Sequence, residues 1–206
     1  MADDTTTGIA VMEIVKSLRY ALGDMQGLNI SDYDLLEPIN QAAHKLYSYL
    51  SERHVREVVA EKEYTVAAAG GEITLDDTFL RICQVLGSNK DNATDNDYQV
   101  IIPTTSRAIV FGAYKLTGRK IRTAKGKYII EYYYIPKKID ALGDTLGVPE
   151  SLRTWIEQLS LAYYKKEYAV ADGLVRQCEA TLAGREVPNF ENTNAAQNLG
   201  ARPSAG

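Results

Sequence analysis

The chain has 206 residues, of which 45% are hydrophobic and 24% are charged, and its formal net charge is −4. This composition excludes a wholly disordered chain, and the small net charge gives no strong overall attraction to nucleic acid or membrane. Cys83 and Cys178 are the only cysteines, so we expect a reducing compartment rather than a disulfide scaffold. The acidic, threonine-rich start is not typical of a signal peptide, and no apolar run reaches membrane-spanning length. We therefore expect a protein made in a cytoplasm, without membrane partners.

The first quarter of the chain has helical periodicity. Residues 7–23 place apolar side chains on one stripe, and a second stripe follows Ser31, which is a good N-cap residue. Pro38 lies inside this second stretch, so the helix either begins there or is kinked there. Together these patterns predict two helices within residues 7–53.

The middle of the chain, residues 55–136, is predicted to form an antiparallel β region. Runs rich in Val, Ile and Tyr alternate with glycine-containing turns, which is typical of short strands. Residues 107–117 fit either a strand or a short helix, and residues 89–97 form a polar loop. The predicted strands are residues 57–66, 72–75, 81–86, 98–102 and 127–135.

Helical periodicity returns at Pro149, which is predicted as a first helical position, and continues over residues 149–184 with Gly184 as C-cap. Residues 187–206 have few apolar and charged residues, which predicts an extended tail. No strand–helix alternation is present, so a doubly wound parallel sheet is not expected. The predicted fold is α+β: N- and C-terminal helices form one bundle with an inserted antiparallel β region, within a single domain of residues 1–186.

Motifs for catalysis, cofactors or metals are not evident. His44 and His54 are about 80° apart on a helix and have no ligand-like neighbours. Tyr133 and Lys137 have the spacing of a catalytic tyrosine–lysine pair, but Pro136 intervenes and no dinucleotide fingerprint precedes them. We therefore predict a protein that is not an enzyme, with no cofactor and no metal.

Charge is distributed unevenly along the chain. Residues 107–138 contain nine basic residues and one acid, Glu131, which gives this segment a charge of +8. The segment is either a solvated hairpin face or an electrostatic docking surface for an acidic protein neighbour or nucleic acid. Strand alternation places Tyr132 and Tyr134 on one face with Tyr128, where they serve either an interface or ordinary packing. The candidate interface residues are Lys115, Arg119, Lys120, Arg122, Lys125, Lys127, Tyr132 and Tyr134.

The neutral tail is either dispensable or a segment that becomes ordered in the groove of a partner.

Several short motifs follow one another along residues 7–184. They are Ile39-Asn40-Gln41-Ala42-Ala43 with Leu46, Tyr64-Thr65-Val66, Glu72 to Ile82, Tyr128 to Pro136, Val148-Pro149-Glu150 and the closing helices. Their order resembles the head-to-tail adaptor proteins of tailed bacteriophages, also called connector or head-completion proteins. Asp76 departs mildly from the pattern, because proline is common at that place in the family.

This resemblance implies a ring, dodecameric in the family, that docks under the portal, extends the DNA channel without sequence-specific binding and connects to the tail. It also implies assembly in the host cytoplasm and a final location in the neck of the virion. The basic segment and loop 89–97 then become candidates for subunit and tail-side contacts. Residues 187–206 become a candidate portal-binding arm, represented by Pro188, Asn189, Phe190, Asn194, Leu199 and Arg202. The alternative function is a nucleic-acid-binding module that uses residues 107–138, and an enzyme of unknown type ranks third.

Overall fold

The computed structural model describes residues 8–68, 70–106 and 108–184, and within them the fold is α+β with four helices and several antiparallel pairings. The helices are α1 (Val11–Leu22), α2 (Leu36–Glu52), α3 (Arg153–Tyr164) and α4 (Tyr168–Ala183). The strands are β1 (Ile9–Ala10), β2 (Val59–Val66), β3 (Gly71–Thr74), β4 (Phe79–Ser88), β5 (Gln99–Val100), β6 (Ile102–Pro103), β7 (Ala113–Thr117), β8 (Lys120–Thr123), β9 (Gly126–Tyr134) and β10 (Thr145–Leu146).

The first two helices lie close to where the sequence predicts them. Helix α1 ends at Gly23, whose positive φ of 72° lets its amide bond back into the last turn. Ser31 caps a 3₁₀ turn, Asp32–Leu35, that leads into α2, so it does not cap α2 directly. Pro38 is the third residue of α2, where the missing amide has no intrahelical partner to lose, and the helix begins there rather than being kinked.

The C-terminal helices also follow the predicted stripes. Pro149 is the N-cap of a 3₁₀ turn, Glu150–Leu152, so the prediction that it opens the helix is one position off. Lys166 separates α3 from α4 with a left-handed φ of 60°. Gly184 caps α4, as predicted, although in a right-handed conformation.

The four helices share one hydrophobic core. Helix α2 contacts α3 and α4, and α3 contacts α1 and α4. Ile14, Leu46 and Ile156 are each fully buried in this core, as the apolar stripes require.

The strands form two four-stranded sheets and one short pair. The first sheet has the order β2-β9-β4-β5 and the second has the order β3-β8-β7-β6, while β1 pairs with β10. Strands β6 and β7 are parallel, so the prediction of an entirely antiparallel region is wrong at this edge. The predicted strand 98–102 is divided between both sheets because Ile101 turns inward and is buried. Residues 107–117 contain strand β7. Strand β8, which follows it along the chain, was not predicted from the sequence.

A second core lies between the two sheets, and β9 connects it with the first. Tyr128, Ile130 and Tyr132 of β9 enter the second core together with Ile73 of β3 and other strand residues. Tyr133 enters the helical core instead, as the predicted alternation requires. The β region is therefore packed against the helices through β9.

No helix in residues 8–68, 70–106 and 108–184 is long and apolar enough to span a membrane.

Asn40 fastens the segment after β9 to α2. Its Nδ2 donates to the Ile139 carbonyl oxygen at 2.9 Å, and its Oδ1 accepts from the Ile139 amide at 2.9 Å.

Asn40→Ala removes both bonds and should lower the free energy of unfolding by about 1–3 kcal/mol in urea titrations. Gln41→Ala, one residue along, loses only an exposed contact to Glu37 and should change it by about 0.5 kcal/mol or less. Equal effects of the two substitutions would contradict this role of Asn40.

Candidate interaction surfaces

Three of the predicted basic residues lie on one face of the second sheet. Lys115 of β7 is directly opposite Arg122 of β8, and Lys120 lies two residues away on the same side. The alternate residues Tyr114 and Ile121 point into the second core and are buried. The hairpin β7–β8 therefore presents its cations outward, and we call this outer side the basic face.

An acidic neighbour partly neutralises the basic face. Glu72 of β3 is opposite Arg122, and its carboxylate lies 3.3 Å from Lys120 Nζ and 3.7 Å from Arg122 Nε. Lys115 forms no ion pair with any residue that the structure describes. One carboxylate thus faces three cations, which leaves the basic face with a net positive charge.

The remaining predicted cations are spread around the hairpin. Arg119, in the turn between β7 and β8, pairs with Asp77, and the hydrogen bond from Arg119 lowers the pKa of that carboxyl group. Lys125 lies in the loop before β9. Lys127 alternates with the inward Tyr128, so it is on the opposite side of the first sheet. Among the described residues, neither of these lysines forms an ion pair.

Tyr132 and Tyr134 are not part of an exposed surface. Tyr132 is only 4% exposed, and its hydroxyl donates to Asp76 Oδ2 at 3.0 Å. The hydroxyl of Tyr134 is 3.3 Å from that of Tyr47 and donates to the Gly147 carbonyl oxygen at 3.2 Å. Both rings pack inside the protein, which is the ordinary strand packing that the sequence left as the alternative.

The candidate arm lies outside the described residues, and so does Arg107. This applies to Pro188, Asn189, Phe190, Asn194, Leu199 and Arg202.

Tyr133 does not have the environment of a catalytic tyrosine. Burial, with the Cys83 thiol as a second cause, raises its pKa to about 12. The guanidinium of Arg81 stacks 4.7 Å from its ring centroid, and the His54 ring meets its edge. A tyrosine that acts as a base needs a lowered pKa, which is the opposite of the direction at Tyr133.

A second surface, which the sequence analysis missed, is formed by the loop between α1 and the turn at Asp32–Leu35. Four large apolar side chains in and beside this loop are mostly exposed, and together they form what we call the loop surface. Its members are Tyr20 (74% exposed), Met25 (71%), Leu28 (78%) and Tyr33 (65%). The available sequence signal was the presence of Met25 between Gly23 and Gly27, and of Leu28 directly after Gly27, with both residues outside any apolar stripe.

The loop surface rests on a buried ionic network. Asp24, only 6% exposed, accepts hydrogen bonds from the amides of Leu28 at 3.0 Å and Ile30 at 2.9 Å. Arg19 donates to Asp24 Oδ2 at 3.1 Å and to the Ile30 carbonyl oxygen at 2.7 Å, and it also pairs with Asp32. These bonds fix the backbone of the loop from which Met25 and Leu28 project.

The pKa of Asp24 reflects the same network. Burial alone raises this pKa, but the amide hydrogen bonds from Ile30, Leu28 and Asn29 and the charge of Arg19 outweigh that effect. The pKa of Asp24 therefore lies below its ordinary value of 3.8.

The basic face continues into an apolar edge. Ile102 of β6 is opposite Ala113 of β7, and Lys115 follows Ala113 on the same face. The Ile102 amide bonds to the carbonyl of Gly112, beside Val110. Val100, Ile102 and Val110 are 60%, 62% and 68% exposed, and we call these three together with Lys115 the edge surface.

In the part of the chain that the structure describes, no three His, Cys, Asp or Glu residues are grouped as metal ligands would be. No protein-family model matches the chain, and the search of curated proteins found no match either.

The Asp24 network yields a test by hydrogen exchange. Asp24→Ala removes the acceptor of the Leu28 and Ile30 amides, and their exchange should accelerate about tenfold or more. Gln26→Ala, in the same loop but outside the network, should leave both rates unchanged. Unchanged amide protection in Asp24→Ala would contradict the network.

Because folding lowers the pKa of Asp24, the carboxylate stabilises the loop fully above pH 3.8 and progressively less as the pH falls below that value.

Proposed function

We propose that this protein is a structural head-to-tail adaptor of a tailed phage, in which copies of the chain form a ring under the portal. The observation that carries the proposal is the loop surface, an exposed apolar surface on a hydrogen-bonded loop backbone, in a chain whose ordered motifs resemble that family. Exposed apolar side chains on a backbone that is already ordered are typical of sites that another protein covers.

The geometry around the family-like motifs supports the same function. Asn40, in the Ile39-Asn40-Gln41-Ala42-Ala43 motif, holds the segment after β9 against α2. Tyr64-Thr65-Val66 ends β2, and the Glu72 to Ile82 passage connects β3 with β4. The first motif thus joins α2 to the segment after β9, and the other two lie where the chain passes between the two sheets.

In this proposal, the helices from both ends of the chain form a bundle that builds the ring wall, and the β region projects from it. The ring is dodecameric, as in the family, and its opening extends the DNA channel. Residues 187–206 reach into the portal, and loop 89–97 contacts tail-side proteins. The ring thereby joins the capsid to the tail in the neck of the virion.

The second candidate function is a nucleic-acid-binding module. Lys115, Lys125 and Lys127 form no ion pair with the described residues, and such cations suit phosphate contacts. Glu72 and Asp77 count against it, because they neutralise the cations beside them.

Deletion of residues 187–206 tests the proposed arm. The truncated chain should keep its thermal unfolding transition, because residues 8–184 contain both cores. It should lose most of its binding to purified portal rings, measured by co-sedimentation and by negative-stain microscopy of a second ring. Full portal binding by the truncated chain would show that the arm is dispensable.

Neutralisation of the basic segment separates the two candidate functions. A Lys120→Gln, Arg122→Gln, Lys125→Gln variant should impair ring assembly if these cations meet acidic neighbours. The matched control neutralises Lys16 on α1 and Lys165 and Lys166 between α3 and α4, and it should assemble normally. Binding of the wild-type monomer to duplex DNA, weakening steeply with salt and lost in the first variant alone, would instead favour the nucleic-acid module.

A further inference from the structure

The loop surface and the edge surface differ in charge. Residues 19–37, which contain the loop surface, include four acids, Asp24, Asp32, Asp34 and Glu37, and one base, Arg19. Residues 98–127, which contain the edge surface, include seven basic residues and no acid. The segments that contain the two surfaces therefore have opposite net charges, −3 for residues 19–37 and +7 for residues 98–127. Within the first segment, Arg19 pairs with Asp24 and Asp32, and Glu37 pairs with Lys138. Opposite charges on two surfaces suppress wrong pairings and fix the orientation of a contact.

These surfaces do not cover each other within one copy. Leu28 remains 78% exposed and Ile102 remains 62% exposed in the folded chain. The loop surface is anchored on the helical core, whereas β6 is the last strand of the second sheet. A contact between the two surfaces therefore has to join two copies of the chain.

A contact between two different surfaces of the same chain is heterologous. When two copies are joined in this way, one loop surface and one edge surface remain unused at the two ends of the pair. The contact can therefore repeat from copy to copy, and it closes into a ring when the rotation allows. An isologous dimer, by contrast, would use one self-complementary surface and would bring like charges together here.

The loop surface is suited to form such a contact without a large ordering cost. Tyrosine and methionine are enriched in the buried centres of protein interfaces. Because Asp24 and Arg19 already fix the backbone, docking does not have to order the loop.

We propose that the loop surface of one copy docks on the edge surface of the next copy, with the acids around the loop facing Lys115 and the basic face. This inference rests on the proposed ring, and it names the two surfaces that build it.

Site-directed disulfide crosslinking between two differently labelled copies tests the contact. All variants carry Cys83→Ser, because Cys83 is exposed, while the buried Cys178 is retained. One copy carries Met25→Cys or Leu28→Cys, and the other carries Ile102→Cys or Val110→Cys. The four mixtures are oxidised in the full-length chain, alone and on purified portal rings, and are resolved on non-reducing gels. The matched control copy carries Val170→Cys, which is 51% exposed but belongs to neither surface.

The inference predicts a mixed disulfide in at least one of the four mixtures and none with the control copy. An oligomer that gives no mixed disulfide overturns the inference and leaves the proposed ring standing. Disulfides between two Leu28→Cys copies would show an isologous contact and would overturn it as well. A wild-type chain that stays monomeric, both alone and with portal rings, overturns the ring itself.

Substitutions without cysteine provide an independent measurement. Leu28→Asp and Ile102→Asp should each weaken self-association, measured by sedimentation, by about tenfold or more, because each places a charge in the apolar centre. Val170→Asp should have no such effect. Amide exchange in the helical core should be unchanged in all three variants, which separates lost docking from lost folding. Wild-type self-association in both Leu28→Asp and Ile102→Asp would overturn the inference.

Discussion

The packing of strand β9 on both of its sides is the constraint on which the structure depends. Tyr128 and Tyr132 fill the core between the two sheets, whereas Tyr133 enters the core of the helices. Tyr134 packs against both cores, and its ring meets that of Tyr47 edge-on with centroids 5.1 Å apart. A one-residue shift of β9 would turn Tyr128 and Tyr132 out of the core between the sheets and would put Lys127 and Glu131 into it. The position of the β region relative to the helices is therefore fixed by this one strand.

This constraint determines where the exposed surfaces lie. The loop surface is attached to α1 and α2, on the helical side of β9. The basic face belongs to the second sheet, on the other side of β9, where Tyr114 and Ile121 turn inward and Lys115 turns outward. The edge surface includes Lys115 and Ile102 of that sheet, together with Val100 at the end of the first sheet and Val110 in the loop before β7. Because the cores are joined through β9, the two surfaces have a fixed separation and orientation. A contact that uses both surfaces then imposes the same rotation at every step, which a closed ring requires.

Much of the fold could be predicted from the sequence because its helices carry clear apolar stripes and its longer strands alternate. Strand β8 was not predicted because its hairpin partner β7 lies in residues 107–117, whose apolar residues fit a strand or a short helix equally well. Alternation assigned Tyr132 to the correct face of β9, but it could not say that the second sheet covers that face. Likewise, the excess of basic residues was evident, whereas its neutralisation by Glu72 depends on strand register. The loop surface was missed because the exposure of Leu28 follows from the Asp24 network rather than from residue type.

The local pairing of charges also bears on how copies of this chain would meet. With a net charge of −4, two copies repel each other weakly at long range, and salt screens this repulsion beyond about 8 Å. Glu72 and Asp77 reduce the positive charge of the hairpin, so its attraction is confined to short distances around Lys115. Short-range attraction of this kind favours one relative orientation of two copies in contact, but it does not act over long distances. Burial of the apolar centres then stabilises the contact. An adaptor has to join one copy to the next in a single geometry, and short-range charge at the border of an apolar contact favours one geometry over the others.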